Sequence, residues 1–547
     1  MQLVAYGAQD IYITGNPQIT FFKVVYRRHT NFAIETIEHP FVGTIGFGNK
    51  VSAKISRNGD LITRMYLRVI LGGVDPTKTS SNFAWVRRVG HAMIKQIDIE
   101  IGGTKIDRQY GVWLDIWYEL ARQGDHENGY ARMIGDVPAL TDYNGDIKGD
   151  YRLYIPLQFW FNKFVGLAIP LIALQYHNVV LNLEFENVNK LIICDQEFIT
   201  NTLSTVTMTD ATILVNYVYL DTDERRRFAL VGHEYLIEQL QFNGVEPVIS
   251  TQTKYILDFN HPTKELIWAT RNGNFSTSME FAYYTNDNKW STVNAGCIII
   301  DKSISIGLNP EPMAGGNWFE VIAGEIVTVG TLNITNKNAN SVFVNPESLK
   351  IETGAIDSQG QPEYYGITDK IFADVIIDST GIITCNNVVT SLTVRDLSIP
   401  IQYMVDTRYQ TRDPLVNIFS NYGLLIDGTG NPVEYGLLQF NGHDRFDRRE
   451  GLYFNYVQPE QHHENTPKDG INVYSFALYP EQHQPSGTSN LSRIESSQLT
   501  LWFADVTFSD GLPDLHYFND NNQLYIFAVN YNIFRIFSGL SGLAYSV

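Results

Sequence analysis

The residues best suited to metal chemistry form a short histidine-rich stretch near the carboxyl end of the chain. His462 and His463 are adjacent and precede Glu464, and His443 and His483 lie on either side. Adjacent side chains of an extended segment point to opposite faces, so this pair would not converge on one ion. The H-E-x-x-H spacing, which does bring two histidines together on a helix, is absent. We therefore predict no metal site here.

Other patterns that support catalysis are also missing. Gly46–Gly48 lacks the third glycine and the strand–helix setting of a dinucleotide loop, and the sequence has no P-loop and no G-x-S-x-G elbow. Carboxylates are plentiful, but sequence does not give the separation that decides a glycosidase mechanism. We predict no catalytic residues, no cofactor and no enzymatic activity. The alternative is a carbohydrate-active or carbohydrate-binding β-sandwich protein, which the acidic charge and 13% aromatic content would suit.

Modification sites and thiols give weak signals. The glycosylation acceptors of the Asn-x-Ser/Thr type are Asn274, Asn333 and Asn490. The cysteines are Cys194, Cys297 and Cys385, which are far apart and have no metal-ligand spacing. Such spacing favours buried or idle thiols in a reducing compartment. The chain does not open with a basic segment and an apolar core, so we expect no secretory signal and unused acceptors.

Charge and hydropathy limit the partners. The chain has 59 acidic and 40 basic residues, a net charge of −19. Nucleic-acid affinity depends mostly on neutralising phosphates, so we expect no direct contact with a genome. A small basic cluster, Lys23 and Arg27–His29, lies within residues 1–32, which we interpret as an extended, solvated or inter-subunit arm. The most apolar run, Phe164–Leu174, is too short to span a bilayer.

A short charged helix is predicted between two β-rich halves. Asp221 or Thr222 can cap its start, and Asp223 and Glu224 occupy the first turn. Three arginines follow nearer the negative end of the helix dipole, and Gly232 is a stop signal. The flanking segments are rich in aromatic and β-branched residues, which favour strands. We interpret residues 221–234 as a connector.

The two halves share three landmarks in the same order, which predicts an internal duplication. Val-Asn-Tyr occurs at 215–217 and 529–531. The alternating pattern Leu-x-Leu-x-Phe occurs at 181–185 and 499–503. A glycine that precedes an Asp-Arg pair by a few residues also occurs twice: Gly103 comes before Asp107 and Arg108, and Gly442 comes before Asp447 and Arg448.

The early part of the second half carries a large insertion. Asp60–Ile62 resembles Glu265–Ile267. The central leucine of this motif precedes the shared glycine by 42 residues in the first half (61 to 103) and by 176 residues in the second (266 to 442). About 134 extra residues (176 minus 42) therefore interrupt the second half, which loops tolerate because closure entropy grows slowly with length. We place a β-rich excursion at about 272–393.

A helix is expected at Gly111–Leu120, where Val112, Ile116 and Leu120 share one face. Trp113 and Trp117 lie beside that face, and we interpret both as core residues. Elsewhere the pattern is one of strands, such as the alternating run 97–101 before a Gly-Gly turn.

Several long blocks resemble the major capsid proteins of nucleocytoplasmic large DNA viruses. They are GAQDIYITGNPQITFFKVVYRRHTNFAIE, LDTDERRRFALVGHEYLIEQLQ, FNGHDRFDRREGLYFNYVQPEQHHENTP, NVYSFALYPEQHQPSGTSNLSRIE and NYNIFRIFSGLSGLAYS. The similarity extends from Gln2 to the last residues. It departs at Met1, where the usual small-residue lead is missing, and over about 272–393, which matches no motif of the family.

The resemblance implies an all-β fold of two tandem eight-stranded jelly rolls, a double jelly roll. The implied division is an arm at 1–32, a first roll at 33–220, a connector at 221–234 and a second roll at 235–547. The large β-rich insertion at about 272–393 would project from the second roll as an outer tower.

The resemblance also implies a function in the virion. Three chains would form a trimeric, pseudo-hexagonal capsomer that tiles an icosahedral shell, assembled in cytoplasmic virus factories. Its partners would be neighbouring capsomers, minor capsid or penton proteins at the base and a nearby internal membrane, without nucleic acid. The segment 272–393 would contact the host or carry glycans, which virus-encoded machinery attaches in some members of this family.

Overall fold

The two halves of the chain fold as two β-sandwiches with one strand order. The structure, a computed structural model, describes residues 8–24, 26–79, 83–122, 126–141, 145–194, 198, 202–271, 422, 430–504 and 522–545, with nine short strands between 305 and 400.

The first roll consists of two facing sheets and a small separate sheet of two strands. Its strands are β1 (Phe32–Pro40), β2 (Lys50–Ile55), β3 (Leu61–Leu71), β4 (Phe83–Trp85), β5 (Ile94–Ile101), β6 (Thr104–Gln109), β7 (Tyr151–Pro156), β8 (Ile169–Pro170), β9 (Val179–Phe185), β10 (Ile192–Cys194) and β11 (Met208–Leu220). One sheet has the order β1-β11-β3-β7 and the other the order β2-β9-β5-β6. Alternate apolar side chains from both sheets meet in one core.

The second roll begins at β12 and is interrupted by the insertion. Its first strands are β12 (His233–Phe242), β13 (Glu246–Pro247), β14 (Gln252–Ile256) and β15 (Pro262–Arg271). The insertion contains β16 (Ser305–Ile306), β17 (Glu320–Ala323), β18 (Thr328–Val329), β19 (Lys350–Ile356), β20 (Pro362–Gly366), β21 (Val375–Ile377), β22 (Ile383–Cys385), β23 (Leu392–Val394) and β24 (Leu397–Pro400). The roll resumes with β25 (Val433–Phe440), β26 (His443–Asp444), β27 (Arg449–Glu450), β28 (Ile471–Ser475), β29 (Ser489–Asn490), β30 (Ser497–Phe503), β31 (Gln523–Phe537) and β32 (Leu540–Leu543).

The strand orders of the two rolls correspond one to one. The second roll has sheets ordered β12-β31-β15-β28 and β14-β30-β25, with β26 and β27 both on the free edge of β25. The counterparts of β1, β11, β3 and β7 are β12, β31, β15 and β28. The counterparts of β2, β9 and β5 are β14, β30 and β25, and the place of β6 is taken by β26 and β27. The prediction that one sandwich plan occurs twice is therefore confirmed.

The sequence landmarks fall on equivalent strands. The Leu-x-Leu-x-Phe pattern lies in β9 and β30, and the Val-Asn-Tyr pattern in β11 and β31. The shared glycines form the turns after β5 and β25, where both central residues have positive φ: 63° and 83° at Gly102 and Gly103, 50° and 78° at Asn441 and Gly442. These values suit the type I′ turn that matches strand twist.

One predicted correspondence is displaced. Met65 pairs with Val215 in the first roll, and Glu265 pairs with Val529 at the same place in the second. The structural counterpart of Glu265 is therefore Met65. The sequence match of Asp60–Ile62 with Glu265–Ile267 instead aligns Glu265 with Asp60, five positions before Met65. A motif of one acidic and two apolar residues fits several positions along a strand, and only the hydrogen-bonded partner fixes the register.

Helices occupy the connections. They are α1 (Ile11–Thr14), α2 (Val89–Ala92), α3 (Gly111–Ala121), α4 (Glu127–Ile134), α5 (Pro138–Thr141), α6 (Trp160–Lys163), α7 (Thr222–Leu230) and α8 (Gln458–His462), which continues a π-helical turn at Tyr453–Val457. Shorter 3-10 turns occur at Pro76–Thr79, Val165–Leu167, Val188–Lys190, Leu203–Thr205 and Leu491–Arg493. The predicted connector helix is α7, and Asp221 Oδ1 caps it by accepting from the Glu224 amide at 2.9 Å.

The strand pairing gives the molecule two distinct ends. Phe32 pairs with Leu220 and His233 with Ile536, so the root of the arm, helix α7 and the C-terminal hairpin share one end, here called the connector end. Strand β15 leaves its pairing at Arg271 opposite Gln523, at the far end of β31. The insertion therefore departs from the opposite end.

The insertion extends further than the sequence indicated. The connection from β15 to β25 spans 272–432, whereas its counterpart in the first roll, from β3 to β5, spans only 72–93 and includes β4. Strand β24, beyond the predicted limit at 393, pairs with β16 inside the insertion. Similarity between the two halves gives no signal for β24, because its partner strand lies inside the insertion and has no counterpart in the first roll.

The turn after β5 offers a matched pair of substitutions. A methyl group at Gly102 would overlap the His177 ring, whose Nδ1 accepts from the Ser541 amide at 3.0 Å; the same group at Gly103 meets open space. Both residues have positive φ. We expect Gly102→Ala to lower the free energy of unfolding by about 2 kcal/mol or more, and Gly103→Ala by about 1 kcal/mol. Urea unfolding followed by tryptophan fluorescence measures both, and equal losses would contradict the overlap.

Candidate assembly surfaces and the interface between the jelly rolls

One sheet of the second roll is buried on both faces. Leu266, Trp268 and Ile526 point into the core of their own roll. The alternate residues Ile267 and Phe527 point the other way, into a second apolar cluster built around α3. We call this cluster the inter-roll core; its buried members are Trp113, Ile116, Trp117, Leu120, Ile267, Ala269, Tyr422, Ile471, Val473, Tyr525, Phe527 and Val529.

The burial patterns of the equivalent strands show what α3 adds. In β3 of the first roll, buried residues alternate with partly exposed or exposed ones from Met65 to Leu71. In β15 every residue from Thr263 to Arg271 is buried. Because α3 belongs to the first roll and covers the sheet of the second, the predicted core role of Trp113 and Trp117 is confirmed, but they pack between the rolls.

Aromatic and edge contacts complete this interface. The rings of Trp113 and Phe527 lie 5.3 Å apart, and those of Tyr110 and Phe242 lie 4.9 Å apart. The edge strand β6 also approaches β12. Asp107 Oδ1 accepts from the Leu240 amide at 3.0 Å, and burial raises the pKa of the Asp107 carboxyl to about 7. The two rolls are thus joined by packing and by direct polar contacts.

Two lysines, one of them fully buried, lie beside the inter-roll core. Lys264, with no exposed surface, donates to Glu238 Oε1 at 2.7 Å. Lys163 of the first roll lies 3.7 Å from Glu238 Oε2 and 3.8 Å from the centre of the Trp117 ring. Burial lowers the pKa of Lys163, although Glu238 opposes this effect. Glu238 therefore links cations from both rolls.

His463 lies between two carboxylates. Its Nδ1 is 2.8 Å from Glu481 Oε1, and its Nε2 forms an ion pair with Glu265 Oε2 at 3.1 Å. Burial disfavours the charged ring, but Glu265 and Glu481 outweigh it and raise the pKa of His463 to about 9. The imidazole is therefore a buried cation at neutral pH.

A second buried cation lies at the other side of α3. Arg88 donates to Asp115 at 2.8 Å and pairs with Glu119, and both carboxylates belong to α3. Burial opposes ionisation of Asp115, but Arg88 and His91 hold the pKa of this carboxyl well below its ordinary value. Lys468 of the second roll lies 3.8 Å from Glu119. The helix is thus anchored to both rolls by charge.

The N-terminal arm exposes large apolar side chains. Phe21 is 89% exposed, Phe22 99% and Tyr26 86%, and the basic residues Lys23 and Arg28 are exposed beside them. Strand β1, which follows, is an edge strand with Phe32 and Ile34 half exposed. An exposed apolar surface of this kind marks a contact site for another protein or for a membrane.

The residues singled out by the sequence are scattered. His462 Nδ1 faces the Leu478 carbonyl at 3.1 Å, while His463 has the carboxylate partners described above. Among the described residues, no group of three or more His, Cys, Asp or Glu side chains is arranged to hold a metal ion. In the same part of the chain, no helix is long and apolar enough to cross a lipid bilayer.

The structure describes some of the glycosylation acceptors and cysteines and not others. Asn490 lies in β29 with an exposed side chain, whose Oδ1 accepts from the Ser492 amide at 3.1 Å. Asn274 and Asn333 lie outside the described residues, so glycosylation stays a prediction. Cys194 is buried and carries no disulfide, Cys385 lies in β22, and Cys297 lies outside the described residues.

The charged groups of the interface were not found from sequence. Glu265, His463 and Glu481 are separated by up to 216 positions (265 to 481), and Arg88 reaches Asp115 only through the packing of α3. Short-range spacing carries no signal for such contacts. The strong internal repeat was the only sequence feature that could have located the interface, because it defines two bodies that must join.

Two jelly rolls of one strand order, fixed to each other by a buried interface, define a double jelly-roll capsid protein. Models of the major capsid protein N-terminus and of the large eukaryotic DNA virus major capsid protein match residues 20–221 and 224–542. The chain belongs to this family of large eukaryotic DNA virus major capsid proteins, and it is a structural component of the virion's capsid shell.

Individual relatives cover the whole chain. Capsid protein 1 of Acanthamoeba polyphaga mimivirus is 42% identical over 100% of this chain and 99% of its own length. The major capsid protein of Phaeocystis pouchetii virus is 38% identical over the same shares. The solved structure of PBCV-1 VP54 superimposes with a TM-score of 0.60 at 29% identity, over 96% of this chain and 100% of that one.

The His463 site predicts a pH dependence of stability. The pKa of His463 is about 9 in the folded protein, against an ordinary value of 6.5. The folded state therefore binds this proton more tightly; its contribution is full below about pH 6.5 and is lost as pH rises through 9. We expect the free energy of unfolding to fall by on the order of 1–3 kcal/mol between pH 6.5 and 9.5.

The measurement compares urea unfolding at several pH values for the unaltered chain and for His463→Gln. In the variant, the free energy of unfolding should lack the part of the decline that is due to His463. The stability curves of the unaltered chain and of the variant should therefore converge at high pH. His462→Gln, on the same turn but facing the Leu478 carbonyl, serves as the control. Parallel curves for the chain and His463→Gln would show that the buried proton is not held as described.

Proposed function

We propose that three copies of this chain close into a trimer with a pseudo-hexagonal outline, which tiles an icosahedral shell. The observation that carries this proposal is the shared strand order of the two rolls. A threefold assembly of two similar bodies presents six similar walls, and a closed ring with repeated contacts can pave a flat lattice. Neighbouring capsomers would then meet through nearly equivalent surfaces.

The inter-roll core supports the same proposal. A tile keeps its outline only if its two halves hold a fixed geometry, and a buried interface with many large side chains resists relative motion of domains. The division that we propose is an arm at 1–32, rolls at 33–220 and 235–547, and the connector at 221–234 between them.

The two ends suggest the orientation in the shell. The arm and connector share one end, and the insertion leaves from the other. We place the connector end inward, toward minor capsid or penton proteins and an internal membrane, and the insertion outward as a tower that contacts the host or carries glycans. With a net charge of −19, the chain makes no direct contact with the genome in this proposal.

The proposed function needs no catalysis or cofactor. The matched family models and relatives are capsid proteins, which supports a purely structural role. Assembly would take place in the host cytoplasm at virus factories. No observation favours the carbohydrate-active alternative.

Native mass tests the trimer. One chain has a mass of 62.1 kDa, and light scattering of the purified protein should give three times that value. Negative-stain images should show a six-sided outline with three protrusions. A particle with the mass of a single chain at micromolar concentration would contradict the proposal.

Replacement of the tower tests its position. A short Gly-Ser linker in place of 272–400 should leave the trimer and its melting temperature unchanged, because the strands described in this segment pair with one another and with no described strand of either roll. The matched variant replaces 272–430 and also removes Tyr422, which is 5% exposed in the inter-roll core. This second variant should melt several degrees lower. Loss of trimers in the first variant would place the insertion in the subunit interface.

A further inference from the structure

A groove of about 800 Å³ lies at the connector end. Its apolar wall includes Leu61, Val165 and Ala168 of the first roll and Phe228 of α7. Thr30, where the arm joins the body, is part of the same wall. Val165 is 67% exposed, so this surface lies open in the single chain.

The rim of the groove is acidic. Asp221, Asp223 and Glu224 line it, against a single arginine, Arg227, and one histidine, His233. Glu224 Oε2 is shielded from solvent and has no hydrogen-bond partner among the described residues. A buried carboxylate oxygen without a partner costs free energy, so this position favours a basic group.

The arm has the complementary composition. Its exposed apolar residues Ile19, Phe21, Phe22, Val24 and Tyr26 are 72% to 99% exposed. Basic side chains are interleaved with them and follow them at Lys23 and 27–29. An apolar, basic segment thus matches an apolar groove with an acidic rim.

We propose that the arm of one chain, residues 19–29, occupies the connector-end groove of a second copy. The aromatic residues would fill the apolar part, and Lys23, Arg27 or Arg28 would reach the rim carboxylates, including Glu224. This inference rests on the self-association proposed above, and it names the surface that receives the arm.

The geometry of the arm disfavours insertion into its own groove. Residues 26–31 form neither a turn nor a bend, and they lead directly into β1. Only residues 27–29 separate Tyr26 from Thr30 in the groove wall. To return into the same groove the chain would have to reverse direction within these residues, which contain no turn. The arm is therefore directed toward a neighbour.

Cysteine cross-linking tests the contact in the assembled protein. Phe22→Cys and Val165→Cys are combined in a chain whose Cys297 and Cys385 are changed to serine, with the buried Cys194 retained. Mild oxidation should produce covalent dimers and trimers on non-reducing gels. The matched control combines Phe22→Cys with Ser250→Cys; Ser250 is exposed at the opposite end of the roll and should yield monomers.

Charge exchange tests the recognition. In the chain that carries Phe22→Cys and Val165→Cys, the further changes Arg27→Glu and Arg28→Glu should reduce the yield of covalent oligomers roughly fivefold. When Arg27 and Arg28 are left unchanged, added salt should also reduce this yield. Adding Asp223→Lys and Glu224→Lys should restore the yield. The control Glu434→Lys, an exposed acid at the insertion end, should not restore it.

Light scattering on the same samples separates the two proposals. Particles with three times the 62.1 kDa chain mass that give no intermolecular cross-link would overturn the arm contact and leave the trimer standing. Disulfides confined to one chain would show that the arm folds back, which also overturns it. Absence of trimers in the serine background, before any cross-linking, would instead refute the self-association on which the inference rests.

Discussion

The structure depends on the burial of both faces of one antiparallel sheet. In the second roll, β15 and β31 send alternate side chains into two different cores, one inside the roll and one shared with α3. An antiparallel sheet normally leaves one face to solvent, as β3 does in the first roll. Without α3, Ile267, Phe527 and Val529 would be exposed together, so the second roll needs the first to cover it.

The charged groups at the interface act differently from the apolar ones. Removing a charged side chain from water costs desolvation free energy, which a carboxylate partner offsets only in one geometry. Two ion pairs cross between the rolls: Lys163 of the first roll lies 3.7 Å from Glu238, and Lys468 of the second lies 3.8 Å from Glu119. Apolar surfaces can slide past one another, whereas a lysine between two rolls has its partners at a single position. The apolar core therefore supplies affinity between the rolls, and the ion pairs that cross between them favour one relative placement.

The duplication preserves strands and varies loops. The connection after β6 contains α3, α4 and α5, while its counterpart after β27 contains only a π-turn and α8. The connection from β3 to β5 is confined to 72–93, and the equivalent one after β15 extends over 272–432. The strands form walls that must resemble each other in a pseudo-sixfold tile, and the loops differentiate the ends. One kind of loop joins the rolls, and another projects from the surface.

Local patterns in the sequence determined the repeated strands, the type I′ turns at Gly102 and Asn441, and the capped helix after Asp221. Each depends on a few neighbouring residues, whose periodicity or φ preference is set locally. The amphipathic α3 was also predictable, but the body against which it packs was not. The tertiary structure alone decided the register of β3 against β11, the end of the insertion, the carboxylates around His463 and the groove beside Thr30. These features join residues tens to hundreds of positions apart. Such contacts arise when strands pair across the chain, and no short-range spacing records which distant residue completes them.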